Sequence, residues 1–351
     1  MAIFRRQSSP TSLAVAQGEA ITRFWAWWKA EGAKATTTAI LEGAPERMVA
    51  PLSQRVKEIH EGLAWELGPG TGTRHVLVVS AEGNAALRAV ARRWRQGAPE
   101  QDETWSYSDY RLPLPDPDGT VLTIAETEID LVSASTSARV IGTHLDVTVF
   151  HPAFVALPDE QRLMASFLLL ETVLVEAALE TWLGTVTATA EPPLDPVPLP
   201  GLRAVIRELE SQFTDGQGEP VWLLMEGISA DGDTILAGAQ APLRSTRAPH
   251  LDTHVAISVP FADQTPGGLP ADTSLPALQG FEDHLNSRLG GSGHIVAHHS
   301  LRGVRTLHAY VDSTTPAVEQ LRAAVTGWDQ GKVTMLVNLD PGWQDIQHLR
   351  A

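Results

Sequence analysis

Cysteine is absent from all 351 residues, which removes disulfides, thiolate nucleophiles and cysteine-ligated zinc or iron–sulfur sites together. Positive charge is also short. The 26 Lys and Arg stand against 42 Asp and Glu, a formal net charge of -16 spread over both halves of the chain. Such a surface repels a phosphate backbone on average, so direct nucleic-acid binding is not expected. Uninterrupted apolar runs of membrane-spanning length are missing too. The most apolar stretch, Leu163–Leu183, carries Glu171, Glu176 and Glu180 and predicts a buried helix rather than a membrane span. Met1 to Pro10 lacks the apolar core of a secretory signal, which points to a cytoplasmic protein.

What is present describes an ordered globular chain, with 43% hydrophobic and 19% charged residues and a length that suits two domains. The stretch Glu191–Pro200 holds five prolines, which forbid a helix or a central strand and predict a stiff linker. Domains over 1–195 and 196–351 follow. Before the linker, a helix over Leu13–Ala30 places Phe24, Trp27 and Trp28 on one side and turns Trp25 elsewhere. Next come a helix Pro51–Glu61, strands near Ala64–Leu67 and Val76–Val79, a helix Asn84–Arg95, strands near Ser106–Leu112, Val121–Val132 and Val140–Phe150, the apolar helix, and a strand Thr185–Ala190. After the linker, Asp231-Gly232 marks a hairpin between Val221–Ile228 and Ile235–Ala241. The strand His254–Pro260 then alternates, with Val255, Ile257 and Val259 on one face and His254, Ala256 and Ser258 on the other. From His254 onward the order is β-α-β-β-α-β, and the N-terminal half shows the same order once its additions are set aside. The predicted class is α+β, with two ferredoxin-like (βαββαβ) domains carrying added strands and N-terminal helices.

Candidate chemistry is sparse. Ser229 sits in a strand-to-strand turn, where a nucleophile elbow needs strand to helix. Gly68-Pro69-Gly70-Thr71-Gly72-Thr73 joins two strands and lacks the helix N-terminus that a phosphate loop uses. Asp116-Pro117-Asp118-Gly119 has Leu114 where a calcium loop needs its first carboxylate. His250/His254 and His294/His298 have an i, i+4 spacing that on a strand leaves rings about 13 Å apart along one face. They read as solvent-facing histidines, and no metal or cofactor is expected. Arg88, Arg92, Arg93 and Arg95 read as a solvated helix face. The acid–base candidates are Glu176, on an otherwise apolar helix, and the pair His144 and Asp146 on one strand face, with Asp130 nearby.

The chain closes on the hairpin at Arg302-Gly303, the strand containing Arg305 and Tyr310, and Asp340-Pro341-Gly342-Trp343. On these residues, and more loosely on Phe24–Trp28, Val76–Asn84 and the Glu-bearing helix, it resembles an uncharacterised bacterial family known only as a domain of unknown function. Its C-terminal half is distantly similar to the regulator of ribonuclease E activity B, a small protein that acts by binding an enzyme. That likeness implies a non-catalytic, regulatory role with a protein partner. Trp25, Tyr310 and Trp343 are the candidate contact residues, although Trp343 is also placed to fold back over the sheet as core. The alternative is a hydrolase or small-ligand-binding protein with a carboxylate- and histidine-lined cleft between the domains.

Overall fold

The computed structural model describes residues 10–114 and 119–350, so the turn at Asp116-Pro117-Asp118 lies outside the described residues. The architecture is α+β, in two compact units: residues up to 109 together with 222–350, and residues 110–221. The division is not at the proline-rich segment. That segment lies inside the second unit, where its end pairs as an edge strand, a place that tolerates the missing N–H of proline.

The first unit opens with α1 (Pro10–Trp27), α2 (Ala33–Leu41) and α3 (Val49–Ile59), then β1 (Ala64–Pro69), β2 (His75–Ser80), α4 (Arg88–Gln96) and β3 (Trp105–Ser108). β2 lies between antiparallel β1 and parallel β3. A π-helical turn at Trp28–Gly32 separates α1 from α2. Trp25 is not turned away: it is buried with Phe24 and Trp28, stacks on Trp94 at 4.7 Å and donates its Nε1–H to the Trp94 carbonyl at 2.8 Å. Trp27 is the half-exposed ring, with the Arg55 guanidinium 4.0 Å from its centroid.

The second unit contains β4 (Val121–Ile124), β5 (Thr127–Asp130), β6 (Ser135–Ile141), β7 (His144–Phe150), α5 (Asp159–Val173), α6 (Glu176–Trp182), β8 (Leu183–Thr189), β9 (Val197–Pro198) and α7 (Leu202–Gln212). Its main sheet runs β8-β7-β6-β9, and β4 and β5 pair only with each other. The N-terminal half is therefore not one βαββαβ sheet, because its strands fall into three. Ala125 and Glu126 adopt positive φ and fold the expected strand Val121–Val132 back on itself. The expected apolar helix is two, since Leu174 and Val175 are extended between α5 and α6.

The first unit resumes with β10 (Val221–Ile228), β11 (Thr234–Ala241), β12 (Thr253–Pro260), α8 (Ser274–Leu289), β13 (Gly293–Leu301), β14 (Val304–Val311), α9 (Ala317–Ala324) and β15 (Thr334–Leu339). One six-stranded sheet has the order β10-β11-β13-β14-β12-β15, with Arg302 and Gly303 at positive φ in the β13–β14 turn. Val255, Ile257, Val259, Leu307 and Ala309 pack on Leu278, Leu285 and Leu321 of α8 and α9. On the opposite face Ala237, Ala239, Ala297 and Tyr310 are covered by Trp343, Ile346 and Leu349. The arginines of α4 are ties rather than a solvated face. Arg92 pairs with Asp109 at 2.7 Å, and Arg93 reaches Asp252 at 2.8 Å and Asp312 at 2.7 Å.

Trp343 is only 2% exposed. It lies 4.4 Å from the Tyr310 ring in near-parallel stacking and donates its Nε1–H to the Leu251 carbonyl at 2.9 Å. Replacing it with alanine removes a large buried ring and a satisfied donor. Trp343→Ala is expected to cost about 3–5 kcal/mol, measured as a lowered denaturation midpoint, and an unchanged midpoint would contradict this packing role.

Candidate functional site

Three histidines on the sheet face opposite α8 and α9 form a continuous hydrogen-bonded chain. His254 Nε2 is 3.0 Å from His308 Nδ1, and His308 Nε2 is 3.0 Å from His299 Nδ1. At the outer end His254 Nδ1 stands 3.1 Å from Asp345 Oδ2, which also accepts from the Asn338 amide at 3.0 Å. Successive ring planes differ by 12° and 26°, and both centroid separations are 5.2 Å. The rings therefore meet edge to edge with nitrogens facing, a spacing set by the hydrogen bond and not by face-to-face contact. His348 stands edge-on to His299 and His308, with centroids 6.4 and 6.3 Å away.

Strand register builds this chain. On β12 and β14 His254 is directly opposite Tyr310, while His308 faces Ala256, so the two imidazoles are diagonal neighbours within reach of each other's edges. On β13 a bulge between Ile295 and Ala297 resets the alternation. Ile295 faces the helices, and without the bulge His299 would too. With it, Ala297 and His299 join the His308 face, and His298 turns to Glu282 of α8 at 3.3 Å. His294 and His298 thus lie on opposite faces rather than one. The histidines are not solvent-facing either, since His254 and His308 are buried.

Burial pushes all three imidazoles below their ordinary range. His308 falls to about 3, with the neighbouring His299 and His254 adding to the effect of burial. Burial lowers His254 despite the opposing pull of Asp345, and burial together with His348 lowers His299. Tyr310, stacked on His254, is pushed up by burial and by its 2.6 Å hydrogen bond to Asp340. Among the described residues no group of three or more His, Asp or Glu is arranged to hold a metal ion. Both nitrogens of His308 are already committed to other imidazoles.

The residues nominated from sequence lie elsewhere or inside. Trp25, Tyr310 and Trp343 are all buried, so none presents a ring to a partner. Glu176, at the start of α6, accepts the Arg111 backbone N–H at 3.0 Å. His144 and Asp146 do share a face of β7, 3.7 Å apart, and Asp146 is fixed by the Thr185 N–H at 2.8 Å. Gly184 makes room for both, because a Cβ there would collide with the ring and the carboxylate. Asp130 lies instead 3.5 Å from His151. Asp146 lines an open groove of about 880 Å³ in the second unit, with Arg139, Ser137, Thr148, Thr185 and Asp195. Sequence reasoning missed His254, His299 and His308 as a group. The signal available was the alternation of β12, which sets His254 on the face away from Val255, Ile257 and Val259.

Comparison with known families places residues 234–349 in a match to a family of unknown function, DUF695. This span runs from the first residue of β11 through the C-terminal turn, and so contains the whole histidine chain. No curated protein and no solved structure matches the chain.

The three depressed imidazoles define a pH response. Below about 6.5 the unfolded chain binds protons at these rings that the folded chain refuses, so their contribution is complete above that pH and declines as pH falls towards the lower folded values. Each refused proton tilts stability by about 1.4 kcal/mol per pH unit. Melting temperature is expected to fall between pH 6.5 and 4.5. The fall should be shallower in His308→Gln, and an equal slope in the two proteins would refute this assignment.

Proposed function

We propose that this chain is a non-catalytic, cytoplasmic binding protein that regulates a protein partner, and that the partner adds to the edge of the six-stranded sheet at β10. One observation carries the reading. β10 is the outermost strand of that sheet, eight residues long, and its residues Leu224 and Ile228 are 85% and 77% exposed, beside the partly exposed Trp222 of β10 and Leu236 of β11. An open edge is normally blunted by charge, proline or a bulge, yet within β10 the sole charged side chain is Glu226. An edge left long and apolar suits main-chain pairing with an extended segment whose apolar residues recur at alternate positions. A basic residue opposite Glu226 would complete the match.

The strand order β15-β12-β14-β13, with α8 and α9 on one face, supports a ferredoxin-like reading of this half. It supports with it the likeness to the regulator of ribonuclease E activity B, which acts by binding. The alternative, a hydrolase or small-ligand-binding protein, draws its support from the groove lined by Asp146 and Arg139, with His144 beside Asp146, which belongs to the second unit alone.

The double variant Leu224→Lys, Ile228→Lys alters exposed side chains and should melt like the parent. A partner captured from native cell extract by the parent is expected to be lost by the variant, and its binding should slow amide exchange across residues 221–228. Undiminished capture by the variant, or exchange unchanged at β10 in the complex, would overturn the proposal.

A further inference from the structure

The group Asp345, His254, His308 and His299 contains three gaps and, with neutral rings and an ionised carboxylate, three N–H groups to fill them. The order is then forced. Asp345 only accepts, so His254 carries its proton on Nδ1 and offers a lone pair at Nε2. His308 must donate from Nδ1 into that lone pair, which leaves its own Nε2 to accept from His299 Nδ1–H. His299 Nε2 is left as an acceptor at the half-buried end.

We propose that these four side chains form a proton relay that takes up one proton at His299 and holds the resulting charge on His254 beside Asp345. The steps balance. A proton from solvent bonds to His299 Nε2, the His299 Nδ1 proton passes to His308 Nε2, and the His308 Nδ1 proton passes to His254 Nε2. Three N–H bonds form and two break, which accounts for the single proton gained. Every gap keeps one hydrogen bond, and the four groups go from a net charge of -1 to zero. At the half-buried His299 end Nε2 changes from acceptor to donor.

The surrounding charges give the relay a direction. From the C-terminal turn Asp345 and Asp340 face the His254 end, and both favour a cation there. His348 from the same segment opposes a cation at all three rings, but only at His254 do carboxylates answer it, and at His299 His298 of β13 adds to the opposition through the sheet. On β14 Tyr310 stacks on His254 and donates a hydrogen bond from its hydroxyl to Asp340, with Arg350 close to both. β15 contributes the neutral Asn338, and β11, which has no titratable side chain, brings Ala237 and Ala239 to this face. A proton left on buried His308 would sit between two rings with no carboxylate, whereas one ring further along, at His254, it meets Asp345. A second proton has no place, since it would set two N–H groups against each other in one gap.

Nitrogen-15 NMR of the labelled, full-length protein reads each ring nitrogen directly. Near neutral pH all three rings should be Nδ1–H tautomers. On acidification His254 should become doubly protonated while His299 and His308 switch to Nε2–H at the same apparent pKa. The exposed-site variant Asp345→Asn keeps the Asn338 contact region and removes the terminal charge, so the shared transition should move down by about one pH unit or more. Three independent titrations, a neutral-pH Nε2–H form at any of the three rings, an imidazolium at His308, or an unmoved transition in Asp345→Asn would each overturn the relay. In His308→Phe, checked for folding by its near-ultraviolet spectrum, His254 and His299 should titrate apart, and persistence of a common transition would count against it equally.

Discussion

Arg93 holds together two stretches of chain separated by more than a hundred residues. From α4 its guanidinium reaches Asp252, just before β12, and Asp312, just after β14. Asp252 also receives the Ser313 N–H and hydroxyl, and Asp312 donates its N–H to the Ser292 carbonyl at the start of β13. One cation therefore gathers the ends of three adjacent strands. A buried pair of this kind contributes modestly against water, but losing one partner strands the other, at a cost of about 3–5 kcal/mol. The stronger consequence is register. With β12 and β14 pinned at Asp252 and Asp312, His254 falls opposite Tyr310 and His308 falls on the diagonal.

The two faces of the large sheet answer this constraint differently. Beneath α8 and α9 the face is a conventional aliphatic core. The other face is covered by a short C-terminal segment whose Trp343, Ile346 and Leu349 seal one side while Asp345 and His348 address the imidazoles. Asp340 organises that segment: it accepts the Tyr310 hydroxyl and the backbone N–H groups of Gln344 and Asp345. The Tyr310 hydroxyl is thus satisfied by Asp340, and both nitrogens of His254 and of His308 by their neighbours, which is the condition under which buried polar networks are tolerated. Exposed apolar side chains of this sheet lie on its edge strands instead, Leu224 and Ile228 on β10 and Leu336 and Leu339 on β15.

The second unit keeps its own polar surface. His144, Asp146, Thr148 and Thr187 line the face of its sheet opposite Val147 and Val149, which are buried in its core. Here a strand alternation legible in the sequence led to the right neighbours, His144 and Asp146, because two residues apart on one strand need no tertiary information to share a face.

By itself the sequence determined the α+β class, the hairpin at Arg302-Gly303, the βαββαβ order from His254 onward, and the absence of any cysteine-based chemistry. Each rests on local pattern or composition. Tertiary structure decided the rest. The proline-rich segment looked like a linker because proline excludes helix, but whether its edge pairs with a neighbour depends on β6, sixty residues away. The aromatic cluster at Phe24–Trp28 was visible, yet the inward turn of Trp25 required Trp94 to receive it. The histidine chain was the least legible feature. Its members sit on three strands, one displaced to the other face by a single bulge residue, and their hydrogen bonds exist only in a register set by Arg93 from a distant helix. Side-chain period is a property of one strand, whereas the meeting of three imidazoles is a property of how strands are aligned, and alignment is fixed by contacts the linear pattern does not contain.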